Sequence, residues 1–281
     1  MLNRTKIKLR QNELSKFSGI DCFECCLDKK YFQSYPYTIS YHYNSRGFRD
    51  VDWPTDDLQQ AIWCIGDSFT SGIGVPFAHT WPQVLQQKTN RRTINISLDG
   101  ASNNWIARHA NEIIQEIQPR YLIVQWSFSH RREADISVAL DPIWQEYYNN
   151  VRDPDWPDCP SYKLLTTLPI EIQNAMNNDP NINSWSDEFD LESPRRLLES
   201  NSTVEEDIAN TQAAIDLICP NPNTTVIHSF IPDWHRGEYQ LNFYNSLVIP
   251  KIEVLDLGRD GFHYDIKTAT KFVDLLLPVL T

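Results

Sequence analysis

A chain of 281 residues is long for one compact domain and short for two large ones, which points to one core with insertions. Its 41% apolar content, with 9 Trp, 12 Tyr and 12 Phe, supplies a sizeable core and excludes a disordered chain. Lys and Arg total 25 against 37 Asp and Glu, so the net charge is −12, which argues against gripping nucleic-acid phosphates or an anionic membrane surface.

In chain order, the first eighteen residues interrupt every apolar run with charge, and no later stretch approaches the ~18–20 apolar residues that span a bilayer. The expectation is a soluble, cytoplasmic protein with reduced thiols. Arg4, Lys6, Lys8 and Arg10 alternate as on one face of an edge strand or an arm, and an aromatic run follows from Tyr31 to Tyr43. Cys22, Cys25 and Cys26 resemble half of a metal knuckle, but no second pair completes a tetrahedral set, so no metal and no cofactor is expected. Residues 1–60 are read as an N-terminal extension packing on the core, and 61–281 as the main domain.

From residue 61 apolar runs alternate with helical patterns, which predicts a parallel α/β sheet. The runs are 61–65, 92–97, 121–126, 224–230 and 252–257, apolar on both faces as suits strands covered by helices on each side. Ser102 is placed to cap a helix carrying Ile106, Ala110, Ile113, Ile114 and Ile117, stopped by Pro119. Thr203 and Glu206 form a capping-box pattern, and Asp265 is placed to cap a last helix with Phe272, Val273, Leu276 and Leu277 inward. Residues 141–196 break this rhythm with seven of the 17 prolines and three tryptophans, and are read as an insertion: a lid, a partner surface or irregular padding.

Chemistry concentrates where the strands end. Ile65-Gly66-Asp67-Ser68 sets a serine just after the first strand, at the carboxyl edge where open α/β sheets bind ligands. A plain strand-to-helix turn, with Gly66 for backbone freedom and Ser68 as the cap, accounts for the same residues. A serine hydroxyl needs a base beside it to act as a nucleophile, and the base needs an orienting group. Of seven histidines only His263 has an aspartate three residues earlier, Asp260, and it too follows a strand and precedes a helix. Gly100, after the second strand, offers an N–H to a developing oxyanion, and the stretch from Ser127 to Arg131 brings hydroxyls to the same rim.

At these blocks the chain resembles the GDSL/SGNH hydrolases, over roughly residues 44–281 without the insertion. Gly66-Asp67-Ser68 looks like the family's first block, Gly100 like its second-block glycine, and Asp260 with His263 like its last. Residues 44–50, NSRGFRD, resemble a lead-in of one branch. The resemblance implies a three-layer α/β/α flavodoxin-like fold with a central parallel sheet of about five strands, and metal-free ester hydrolysis through an acyl-enzyme. Ser68, Asp260 and His263 form the implied catalytic set, and the N–H groups of Ser68 and Gly100 the oxyanion site. The implied substrate is a small-molecule or carbohydrate ester, with no nucleic-acid or membrane partner. The third block departs from the pattern: Ser129 stands at the place of the oxyanion-binding asparagine and His130 at that of the aspartate, so Ser129 or Asn103 must donate instead. A non-catalytic binding or structural protein on the same fold, or an O-acyltransferase, would carry the same blocks. An α/β-hydrolase elbow fits less well, with Thr70 where glycine is required. His228, Asp233 and His235 are read as capping or surface residues rather than metal ligands, Arg131, Arg132 and Glu133 as a surface ion-pair cluster, and Trp126 as core rather than substrate-facing.

Overall fold

The computed structural model describes residues 12, 14–18, 20–23, 26, 28–129, 131–135, 182–185, 195–200, 203–219, 221–232, 241–243 and 246–280, and for 132–135, 182–185 and 195–200 the backbone path alone. In chain order the elements are β1 (Leu14–Ser15), α1 (Lys29–Ser34), β2 (Tyr41–His42), β3 (Ile62–Gly66), α2 (Ser68–Ser71), α3 (Trp81–Thr89), β4 (Thr93–Ser97), α4 (Asn103–Glu116), β5 (Tyr121–Trp126), β6 (Arg131–Asp135), β7 (Ile182–Trp185), β8 (Arg195–Ser200), α5 (Val204–Leu217), β9 (Thr225–Phe230), β10 (Leu247–Val248) and α6 (Ile266–Leu276).

Five of these strands form one parallel sheet in the order β10-β9-β5-β3-β4. Alternate residues of each strand feed opposite layers, because side chains in a strand point to opposite faces. Trp63, Ile65, Leu122 and Val124 meet Ile106, Ala110, Ile113 and Ile114 of α4 and Ala214 and Ile215 of α5. Ile62, Cys64, Tyr121 and Ile123 meet Trp81 and Leu85 of α3 and Phe272, Val273 and Leu276 of α6. The result is the three-layer α/β/α arrangement, in the flavodoxin-like strand order that reverses between β3 and β5. Open sheets of this order bind ligands where the order reverses, at the carboxyl ends of β3 and β5, and Ser68 and Ser127 lie just past those ends.

The helix starts follow their caps. Ser102 accepts the N–H of Trp105, Thr203 and Glu206 close a reciprocal capping box, and Asp265 accepts the N–H of Ile266. The fifth strand lies elsewhere than expected. Leu247 and Val248 pair with Ile227 and His228, whereas residues 252–256 form no strand and Leu257 makes only an isolated bridge to Tyr264. The physical reason is that the N–H groups of Leu255 and Asp256 face the Thr268 hydroxyl at the start of α6 rather than a neighbouring strand. Val254, Leu255 and Leu257, which the alternating pattern assigned to the core, are exposed.

Two smaller antiparallel sheets accompany the main one: β1 with β2, and β6-β8-β7. The second begins directly after β5 and reaches the far end of the expected insertion; the rest of residues 141–196 lies outside the described residues, as do Arg4, Lys6, Lys8 and Arg10. No helix among the described residues is long and apolar enough to cross a membrane.

Candidate active site

Ser68 opens the four-residue helix α2, straight after β3. The cap of that helix is Asp67, not Ser68: the Asp67 carboxylate accepts the N–H of Phe69 at 3.0 Å, which leaves the serine hydroxyl for other partners. Gly66 is required by close approach rather than by backbone freedom, since a Cβ there would stand 2.1 Å from the Thr70 hydroxyl. Thr70 in turn donates to Gln125 at 2.8 Å, and Gln125 bridges to Tyr264, tying α2 to β5 and to the segment that bears the histidine.

His263 stands between Ser68 and Asp260. Its Nε2 lies 2.7 Å from Ser68 Oγ, and its Nδ1 2.5 Å from Asp260 Oδ2. All three residues are buried, at 2%, 3% and 3% exposure. The other Asp260 oxygen accepts the backbone N–H groups of Phe262 and His263, at 2.9 and 3.0 Å, so the carboxylate is held by its own turn before it meets the imidazole. Burial favours the neutral ring, but the charges of Asp260, then Asp99 and Asp67, outweigh it and raise the His263 pKa above the ordinary 6.5. The geometry assigns one proton to Nδ1, directed at Asp260, and leaves the Nε2 lone pair to accept from the serine. Phe69 and Phe262 pack on the ring, with centroids 4.6 and 5.1 Å away, and Phe128 joins them at the rim.

The expected oxyanion residues divide. Gly100 sits in a left-handed turn, φ +74°, a conformation that glycine adopts without penalty. Among the described residues neither the Ser68 nor the Gly100 N–H has a protein acceptor. Ser129 is buried in the segment that follows β5. Asn103 is committed elsewhere: its oxygen accepts the Ser127 N–H at 2.8 Å and its nitrogen points at the Ser127 carbonyl and the Thr211 hydroxyl. His130, Asp233 and His235 lie outside the described residues.

Several neighbours have partners that spacing in the sequence does not show. Arg131 is not part of a surface cluster. It donates to Asp67 at 3.1 Å and to Ser127 at 3.0 Å, while the Ser127 hydroxyl reaches Asp67 at 2.6 Å. Burial raises the Asp67 pKa, and these contacts oppose it. Arg49, buried and stacked on Tyr41, sends its guanidinium to the carbonyls of Ser71, Gly72 and Val75, just past α2. The second arginine of the NSRGFRD stretch thereby braces the turn behind Ser68. Trp126 is core: it is fully buried and donates to His228 Nδ1 at 3.1 Å. His228 is held neutral, burial pushing its pKa down to about 4. No group of three metal-binding side chains occurs among the described residues.

No protein-family model and no curated protein matches the chain. Among solved structures it is similar to TesA, at 12% identity and a TM-score of 0.37 over 79% of this chain and 98% of that one. The psychrotrophic esterase EstA from Pseudoalteromonas sp. matches at 11% and 0.39, covering 78% of this chain and 95% of the esterase. A protein from Desulfitobacterium hafniense DCB-2 assigned to the lipolytic G-D-S-L family matches at 13% and 0.37, covering 79% and 99%. At such scores the fold is read from the chain's own strand order, and the site from its own distances.

Proposed function

We propose that the protein is a serine hydrolase that cleaves a carboxylic ester through an acyl-enzyme. The observation that carries this reading is the continuous contact from Asp260 through His263 to Ser68, buried at the carboxyl edge of the sheet. In the reaction, His263 Nε2 takes the Ser68 proton as Oγ bonds to the ester carbonyl carbon, and Asp260 stabilises the imidazolium through Nδ1–H. The carbonyl oxygen, now negative, faces the N–H groups of Ser68 and Gly100, with the Ser129 hydroxyl as the third donor in place of the family's asparagine amide. The tetrahedral adduct collapses as the ester C–O bond breaks and His263 returns the proton to the leaving alcohol. Water then repeats the sequence on the acyl-enzyme, giving up its proton to His263 and releasing the acid and free Ser68.

Turnover of p-nitrophenyl acetate by the full chain, compared with Ser68→Ala, tests the reading. A loss of ~10³-fold or more in kcat is expected, since removing one member of such a set removes most of the chemistry. Equal rates for variant and parent would reject it.

A further inference from the structure

The loop that carries Asp260 and His263 is gripped by residues far outside the α/β core: the Lys16 carbonyl and the Phe17 and Phe32 rings hold Arg259, Tyr31 holds the Leu257 carbonyl, and one carboxylate joins two of the contacts. Asp21 is fully buried. Its Oδ1 accepts from Arg259 Nε at 2.8 Å and its Oδ2 from Arg259 Nη2 at 2.7 Å, a two-pronged pairing with the residue directly before Asp260. The same Oδ2 accepts the Tyr41 hydroxyl, whose oxygen accepts the N–H of Gly74 at 2.8 Å. Gly74 is the floor under Asp260: a Cβ there would lie 2.7–2.8 Å from Asp260 Cγ and both carboxylate oxygens. The Gly74 carbonyl accepts the Arg259 N–H at 2.6 Å, which closes the circuit. Asp21 therefore reaches the chain neighbour of Asp260 by one arm and the surface beneath Asp260 by the other.

We infer that Asp21 is a positioning residue for the Asp260–His263 pair: it locks Arg259 away from Asp260, so that the Asp260 oxygen facing the imidazole meets no competing cation. The inference rests on the hydrolase reading above. Arg259 is flanked by two carboxylates, Asp21 and Asp260, near enough that the Asp260 charge is felt at Asp21. Guanidinium forks bind whichever carboxylate presents both oxygens, and Asp21 presents both. A buried ion pair adds little net stability over an apolar pair of the same shape, so its value here lies in geometry. Among the described residues the other charged or titratable groups facing this region are Asp99 and Asp67 toward His263, Tyr41, Tyr35 and Arg49 toward Asp21, Tyr35 toward Arg259, and Tyr31 toward Asp260.

The test uses the full chain, p-nitrophenyl acetate and the variants Asp21→Asn, Asp21→Asn with Arg259→Gln, and Tyr41→Phe. In Asp21→Asn, Arg259 turns to Asp260 and competes with His263, so kcat falls about tenfold at unchanged KM, a part of the ~10²–10⁴-fold that a positioned general base contributes. The acid limb of kcat/KM moves to lower pH, because Asp260 no longer favours the imidazolium. Removing Arg259 as well returns the limb to its parental position and restores part of kcat. Parental kcat and limb in a folded Asp21→Asn protein would overturn the inference. If that variant does not fold, Tyr41→Phe decides: a lower kcat at parental KM supports the inference and a parental kcat overturns it. If the parent itself shows no Ser68-dependent turnover, the hydrolase reading fails. The inference is then read from the downfield His263 Nδ1 proton by NMR, whose shift must change in Asp21→Asn and whose constancy would overturn it.

Discussion

Replacing Gly74 by alanine puts a methyl group under Asp260 without touching Ser68, His263 or any group that would contact substrate. The new Cβ would stand 2.7 Å from Asp260 Cγ, where ordinary contact begins near 3.4 Å, so the carboxylate must retreat by roughly 0.7 Å. It cannot do so without lengthening the 2.5 Å contact to His263 Nδ1 or the two N–H contacts from its own turn. Displacements of about 1 Å at reacting groups cost up to ~10² in rate, which places Gly74→Ala at about tenfold in kcat. Gly74 also has φ +76°, so alanine adds about 1–2 kcal/mol of backbone strain. On a domain of this size that strain lowers Tm by roughly 2–8 °C, leaving the protein folded at 25 °C. Steady-state kinetics on p-nitrophenyl acetate, with a thermal melt on the same sample, separates the two effects. A variant with the lowered Tm but parental kcat would refute the argument that Asp260 is held against Gly74 for its work on His263.

Three further outcomes follow from the structure. His263 must be neutral to accept the serine proton, and its pKa is raised, so kcat/KM for the parent falls as pH drops through a value above 6.5; a pH-rate profile with its acid limb below 6.5 contradicts this. Asp260→Asn, which keeps the shape but presents the wrong hydrogen-bonding group to Nδ1, lowers kcat by ~10³–10⁴ on the scale seen in other triads, with little change in Tm; single-turnover kinetics checks it. His228 titrates near 6.5 when unfolded and near 4 when folded, so its stabilising contribution is complete above pH 6.5 and is lost as pH falls toward 4. That difference is roughly 3 kcal/mol, and urea melts at pH 7 and pH 4.5 should show most of it in the parent and less in His228→Gln, whose amide oxygen still accepts from Trp126.

The parts of the fold legible in the sequence are those whose cause is local. Four of the five expected sheet strands form where continuous apolar runs stand, because strands covered on both faces leave no polar alternation to misplace. Ser102, Thr203 and Asp265 mark helix starts because a cap and its N–H partners lie within three residues of each other. The run 252–257 misleads because its apolar residues suit an edge strand, whereas the Thr268 hydroxyl, 13 and 12 residues beyond Leu255 and Asp256, takes their N–H groups.

The site divides along the same line. Asp260 and His263 are three residues apart on one turn, and Ser68 follows β3 at the carboxyl edge, so, although the run expected to lead into His263 forms no strand, these halves of the site are readable from spacing. Asp21 with Arg259, 238 positions apart, and Asp67 with Arg131, 64 apart, are not. A single charge in a loop has no period, and nothing local distinguishes one that is solvated from one that is buried against a distant partner. Arg131 therefore reads as a surface charge from sequence alone, and Asp21 carries no pattern at all. The asparagine at 103 was a candidate donor on residue type, but the amide is a two-ended group that the Ser127 peptide uses at both ends.

The most direct measurement is covalent labelling of the folded full chain with a fluorophosphonate, read by intact mass and peptide mapping, for the parent and for His263→Ala. One phosphonyl adduct on Ser68, formed quickly in the parent and nearly lost without the imidazole, is the result the account predicts. No adduct on a folded protein, or labelling of Ser68 that proceeds equally well in His263→Ala, would contradict it.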